Sequence, residues 1–150
     1  MNRRKFLMLA GGGVVLAAGS TFGAVATRWP HKALQPWKAA GGSIYDEPRL
    51  RALSYAILAP NPHNRQPWLV DLSLPNRVVL TVDRHRLLPH TDPYSRQITI
   101  GLGCFLEVLR MAAAQDGIRL EMALFPQGES AAELDERPVA VIDFHEDDQV

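Results

Sequence analysis

This 150-residue chain is short of cysteine and of surplus charge, and each shortage removes a class of explanation. Cys104 is the only cysteine, so no disulfide forms within the chain, and stability has to come from packing, a cofactor or a partner. No cysteine cluster exists for a structural zinc site. His63, His85 and His90 are scattered over two loops without ligand spacing, so no metal site is assigned. Basic and acidic residues balance at 16 each. Setting aside Arg3, Arg4 and Lys5, which lie in an acid-free leader, leaves 13 basic against 16 acidic residues. That balance excludes a general nucleic-acid binder, which needs a basic face. Its apolar share of 47% and charged share of 21% are those of a soluble globular protein, with length for one domain and a real core.

The leader carries the strongest local signal. Asn2-Arg3-Arg4-Lys5-Phe6-Leu7-Met8 resembles the twin-arginine export signal, Ser/Thr-Arg-Arg-x-Phe-Leu-Lys, with Asn and Met at its two ends. The run from Leu7 to Val25 is apolar but diluted by Gly11, Gly12, Gly13, Gly19 and Gly23, and Ala24-Val25-Ala26 offers small residues for cleavage. Residues 1–26 are therefore expected to be a signal peptide that engages the Tat translocase and sends the protein to the periplasm. The alternative is an uncleaved membrane anchor, since the run nearly reaches the roughly 20 residues that a spanning helix needs. Residues 27–45, with prolines, Trp29, Trp37 and Gly41-Gly42 but no clear period, read as a linker or an arm. Residues 46–150 read as the folded part.

Within that part, Asp46 and Glu47 before Pro48 suit a helix start, and Leu50, Leu53, Ala56 and Ile57 recur at helical spacing until Pro60. Trp68, Val70, Leu72 and Leu74 alternate with polar residues, as do Val78, Leu80 and Val82. With Pro75-Asn76 between the two runs, they predict a β-hairpin with one buried face. Residues 83–95 form a long charged connection, and its Asp92 stands at ion-pair spacing from Arg96 just beyond it. From Gln97 to Asp116 one broad stripe, Ile98, Leu102, Phe105, Leu106, Leu109 and Ala113, predicts the main core helix, with Gly117 as its stop. Gly101 and Gly103 on that helix admit close approach by a backbone or a flat ring, or are simply tolerated. Cys104 reads as a small buried hydrophobe. Ile118–Phe125 and Val139–Phe144 predict strands, the second an apolar run of the kind buried on both faces.

The chain turns on Ala59-Pro60-Asn61-Pro62-His63-Asn64-Arg65-Gln66-Pro67-Trp68. Three prolines restrict this connection, and its Asn, Gln, His and Arg side chains are left to make hydrogen bonds. The same composition fits an ordinary helix-to-strand turn. The segment resembles the Pro-Ser-x-x-Asn-x-Gln-Pro-Trp motif of the FMN-binding nitroreductase family through Pro60, Asn61, Asn64, Gln66, Pro67 and Trp68, with Asn61 where Ser is usual. Asp83-Arg84-His85-Arg86-Leu87-Leu88-Pro89, Asp92-Pro93-Tyr94-Ser95-Arg96 and Gly101-Leu102-Gly103 resemble the Acg-type branch of that family. Together the matches run from about Arg49 to Gly117.

The resemblance implies an α+β nitroreductase-like fold, with a mixed sheet packed on a central helix, and FMN as cofactor. It implies cofactor contacts from His63, Asn64, Arg65, Gln66 and Arg96. Asn64 and Gln66 would meet the pyrimidine edge of the ring, and Arg65 would meet the charge of the reduced flavin. No residue is assigned a catalytic acid–base role, because the flavin does the redox work. The Arg-x-Ser-x-Arg phosphate-binding run of many nitroreductases is missing, so Arg49, Arg51, Arg65 and Arg96 are phosphate candidates by charge alone. The implied protein is an exported oxidoreductase, a homodimer, passing electrons from NAD(P)H or another small-molecule donor to a nitro or quinone acceptor. The alternatives are a non-catalytic FMN store of Acg type and a truncated partner-binding domain.

Overall fold

Residues 2–129 and 133–146 are described by a computed structural model, in which the chain divides into two compact units at Gln35 and Pro36. Met1, residues 130–132 of the loop expected before the last strand, and the C-terminal residues 147–150 lie outside the described residues.

The first unit is built on helix α1, Arg3–Thr27, whose apolar side chains are spread evenly around the axis and none of whose residues is buried. Its hydroxyl groups bond back to the helix. Ser20 and Thr21 donate to the Ala17 carbonyl, at 3.0 and 2.8 Å, and Thr27 donates to Gly23 at 2.9 Å. At 25 residues α1 is long and apolar enough to cross a membrane. A short helix, α2, Gln35–Ala39, follows.

In the second unit the segment after α2 is tied down rather than loose. The Gly41 N–H donates to Ser54 Oγ at 2.9 Å, and Arg51 Nε donates to the Tyr45 carbonyl at 3.2 Å. Helix α3, Pro48–Ala56, starts where the acids and Pro48 predict, with the Glu47 carboxylate accepting from the N–H groups of Arg49 and Leu50. Its buried face is Ala52, Leu53, Ser54 and Ala56, whereas Leu50, expected on that face, is 41% exposed. Strands β1, Trp68–Asp71, and β2, Arg77–Val82, form the expected hairpin, with Trp68 opposite Val82 and Asp71 opposite Val79. Asn76 takes the left-handed turn conformation at φ 55°. Arg49 locks this hairpin to α3, donating to the carbonyls of Leu74 and Arg77 at 2.6 and 2.8 Å.

Helix α4, Arg96–Gln115, buries the whole predicted stripe together with Gly101. It ends at Gly117, whose φ of 69° would strain any other residue. Cys104, expected buried, is partly buried against the core. Strands β3, Ile118–Leu124, and β4, Ala140–Glu146, complete one four-stranded sheet in the order β1-β2-β4-β3.

Two expectations are corrected here. The sheet is antiparallel throughout the described residues, not mixed. The crossover through α4 returns β3 in the direction of β2 but one strand-width away, and β4 runs back down the gap between them. Nor is β4 buried on both faces. Ala140, Ile142 and Phe144 are buried, whereas Val141 and Asp143 are only half-buried, because α4 covers a single face of the sheet.

Candidate functional site

The loop between α3 and β1 is held by hydrogen bonds more than by burial. Asn61 braces it from inside. Its side-chain amide nitrogen donates to the Ala59 carbonyl at 3.1 Å, and its Oδ1 accepts the Gln66 N–H at 2.7 Å. Within that brace, residues Pro62–Asn64 make a single 3₁₀ turn, closed by Arg65 N–H donating to the Pro62 carbonyl at 3.0 Å. His63, Asn64 and Gln66 all have positive φ, at 50°, 50° and 48°. A left-handed non-glycine residue costs of order 1 kcal/mol or more and persists only where its surroundings dictate it, so three in four positions mark a shaped segment. Pro67 is fully buried beneath, and Trp68 stacks at a tilt on Phe105 of α4 with ring centroids 5.0 Å apart.

Helix α4 is cut away where the loop lies on it. A Cβ at Gly101 would stand 3.1 Å from Pro62 Cδ and 3.3 Å from Asn61 Cβ, so the close approach that glycine permits is made by the loop itself. Gly103 faces open space.

The sequence-assigned residues divide. His63, Asn64 and Gln66 are exposed on one loop, with Gln66 Nε2 reaching Asn64 Oδ1 at 3.4 Å. That leaves the Asn64 amide N–H and Gln66 Oε1 as a donor and an acceptor facing outward. Arg65 is turned away to structural use, its Nε and one terminal nitrogen donating to the carbonyls of Arg86 and His85, both at 2.9 Å. Arg96, at the start of α4, is exposed and makes no side-chain hydrogen bond or ion pair among the described residues. The other phosphate candidates are committed: Arg49 to Glu47 and the hairpin carbonyls, Arg51 to Asp116 at 3.4 Å.

Asp92 does not pair with the Arg96 side chain. It is 6% exposed, and its two carboxylate oxygens accept the main-chain N–H groups of Arg96 and Ile98 at 2.8 and 3.0 Å, capping α4. Ser95 between them, at φ 52° and fully buried, makes the turn that brings Asp92 under the helix end.

Sequence reasoning missed the part played by Asn61, Asp83 and Arg86. The Asp83 N–H donates to the Pro67 carbonyl at 2.7 Å. Its carboxylate accepts from His85 N–H at 3.0 Å and Arg86 Nε at 3.1 Å, and Arg86 in turn donates to the Arg65 carbonyl at 3.0 Å. The available signal was the Asx-turn habit of Asn61 and Asp83, each followed by residues that need a side-chain acceptor.

Three clefts of about 440, 600 and 570 Å³ lie elsewhere in the second unit: beside Arg49 and His145, between Tyr55 and Met111, and beside Arg84 and Leu69. None is lined by His63, Asn64, Arg65, Gln66 or Arg96. Among the described residues the loop thus presents a polar edge, apart from these three clefts.

No family model matches the chain. It is 38% identical over 79 residues to an uncharacterized protein, Rv3127, of Mycobacterium tuberculosis, a match covering 51% of this chain and 23% of that protein. It is 35% identical over 75 residues to a protein named as an NAD(P)H nitroreductase, Acg, of the same organism, covering 50% of this chain and 22% of that one. The matched stretch is thus less than a quarter of either relative's length. Two solved structures superpose with a TM-score of 0.51. A protein named as an NADH oxidase from Clostridium acetobutylicum, 16% identical, matches 73% of this chain and 81% of its own. A nitroreductase family protein from Clostridium difficile, 12% identical, matches 70% and 74%. The chain therefore has a nitroreductase-like fold, and across half of its length, 75 residues, it is similar in sequence to Acg.

Proposed function

We propose that this chain carries the flavin-facing loop of an exported FMN-dependent oxidoreductase of nitroreductase type, one that passes electrons from NAD(P)H or another donor to a nitro or quinone acceptor. The observation that carries this reading is the braced loop with its three left-handed residues, which leaves an amide donor at Asn64 and an amide acceptor at Gln66 side by side at the surface. A pyrimidine-type edge offers alternating carbonyl acceptors and a ring N–H donor, so the two amides fit it in chemistry. Bound there, FMN would supply the two-electron chemistry.

The residues of this chain orient and hold. Asn64 donates to a ring carbonyl, Gln66 accepts the ring N–H, and His63 flanks them. Arg96, the uncommitted cation at the start of α4, suits the phosphate. Arg65 contributes its positive charge from behind the loop rather than by direct contact. The loop offers one edge of a site, and the opposite wall would come from further polypeptide or from a second subunit, in keeping with a homodimer. Export by the Tat translocase, with α1 as its signal, suits a domain that takes up its cofactor while folding in the cytoplasm.

The test is to purify the chain and titrate it with FMN, following flavin fluorescence and co-elution, then add NADH, NADPH or dithionite and a nitroaromatic acceptor. Saturable binding that weakens when Asn64 and Gln66 are replaced by alanine is expected, with bleaching by a reductant and recovery on adding acceptor. Flavin that stays in free solution overturns the reading. Flavin that binds but cannot pass electrons on would leave a store in place of an enzyme.

A further inference from the structure

We propose that Arg86, oriented by Asp83, is a positioning residue for this loop: it pins the Arg65–Gln66 peptide and so holds Asn64 and Gln66 in the conformations that present their amides. This rests on the reading that those amides face a planar heterocycle.

The lock acts on one peptide unit. Its N–H, from Gln66, is taken by Asn61 Oδ1 at 2.7 Å, and its C=O, from Arg65, is taken by Arg86 at 3.0 Å. A planar unit held at both poles cannot rotate, and its orientation sets ψ of Arg65 and φ of Gln66 together. Arg65 is right-handed, with φ −69° and ψ −26°, between two left-handed neighbours. Relaxing Gln66 to negative φ would swing the peptide and break both bonds.

The grip is mutual. While Arg86 holds the Arg65 carbonyl, the Arg65 guanidinium holds the carbonyls of His85 and Arg86. Asp83 anchors the assembly, bonding Arg86 through its carboxylate and Pro67 through its N–H. The two loops behave as one body, and the charge-assisted bonds that join them all run through the pair of arginines. A lysine at position 86 keeps the charge but lacks a fork to reach the Asp83 carboxylate and the Arg65 carbonyl together.

The experiment compares the unaltered chain with Arg86→Gln and Arg86→Lys. It uses three readouts: thermal melting, FMN titration by fluorescence, and the rate of trypsin cleavage after Arg65 without ligand. Trypsin needs that arginine side chain free and the following peptide mobile, so the lock should make the Arg65–Gln66 bond slow to cut. Both variants are expected to be cut about tenfold faster there and to bind FMN about tenfold more weakly, with lysine failing to rescue and melting little changed. Unaltered cleavage and affinity in both variants would overturn the proposal, as would a lowered melting temperature with affinity intact. If the unaltered chain takes up no FMN yet the variants are cut faster, the lock stands as a feature of the loop and the flavin reading falls. If it binds FMN and the variants bind equally well, the flavin reading stands and the lock falls.

Discussion

Helix α4 and the loop that lies on it are organised by opposite means. The helix is fixed by apolar burial: Ile98, Leu102, Phe105 and Leu109 are wholly inaccessible, and any residues of about the right size and period would seat it. The loop is fixed by direction. Asn61, Asp83, Arg65 and Arg86 hold it through side-chain bonds to main chain, and the loss of any one partner changes the shape that the others enforce. Non-directional forces supply stability, and directional ones supply a particular surface.

Four substitutions sharpen that contrast. Phe105→Ala empties the centre of the core and removes the ring under Trp68, so denaturant unfolding should register a loss of about 3–5 kcal/mol. Asp92→Ala leaves one buried and one part-buried helix N–H group without their acceptor. A loss of about 1–3 kcal/mol is expected, and an unchanged midpoint would mean that water replaces the carboxylate. Gly101→Ala pits two terms against each other: a helix gain of about 1 kcal/mol against a Cβ pressed to 3.1 Å from Pro62. Stability should stay within about 1 kcal/mol of the parent while the loop is displaced, which weakened FMN binding at constant stability would reveal.

The smallest effect is expected at the Arg77–Asp143 pair, which joins β2 to β4 through two bonds of 2.6 and 2.8 Å. The side-chain bond from Arg77 holds the Asp143 carboxyl below its ordinary range. Its stabilisation is therefore complete above the unfolded value of about 3.9 and fades as pH falls below that, through the lower folded value. Unfolding midpoints measured from pH 6 down to pH 2 should fall less steeply for Asp143→Asn. Salt should shrink the difference, since both side chains are over a third exposed.

What the sequence disclosed follows the same division. Period and alternation located α3, β1, β2, α4, β3 and β4, because burial leaves a mark on every turn or every second residue. Leu50 shows the limit: it obeys the period but sits at the margin of the buried face. The sheet's pairing could not be read, because nothing in the composition of β4 says that it inserts between β2 and β3 rather than beside either. In the loop the prolines and amides were visible as chemistry, but their assignments were not. Arg65 looked like a ligand contact by charge and Asn61 like a mere turn former. Only the main-chain path shows that two of the arginine's donors and the Asn61 oxygen bond neighbouring backbone groups.

The order β1-β2-β4-β3 also bears on how the molecule is made. Arg77 meets Asp143, which lies 66 positions further along the chain, so the inner edge of the hairpin stays unsatisfied until β4 has been made. Such an edge invites pairing with other nascent chains, and its closure is a late, slow step. Pairing of β2 and β3 with their shared neighbour thus waits on the synthesis of β4, and a shortened product ending before Ala140 should accumulate as aggregate even though α3 and α4 are present.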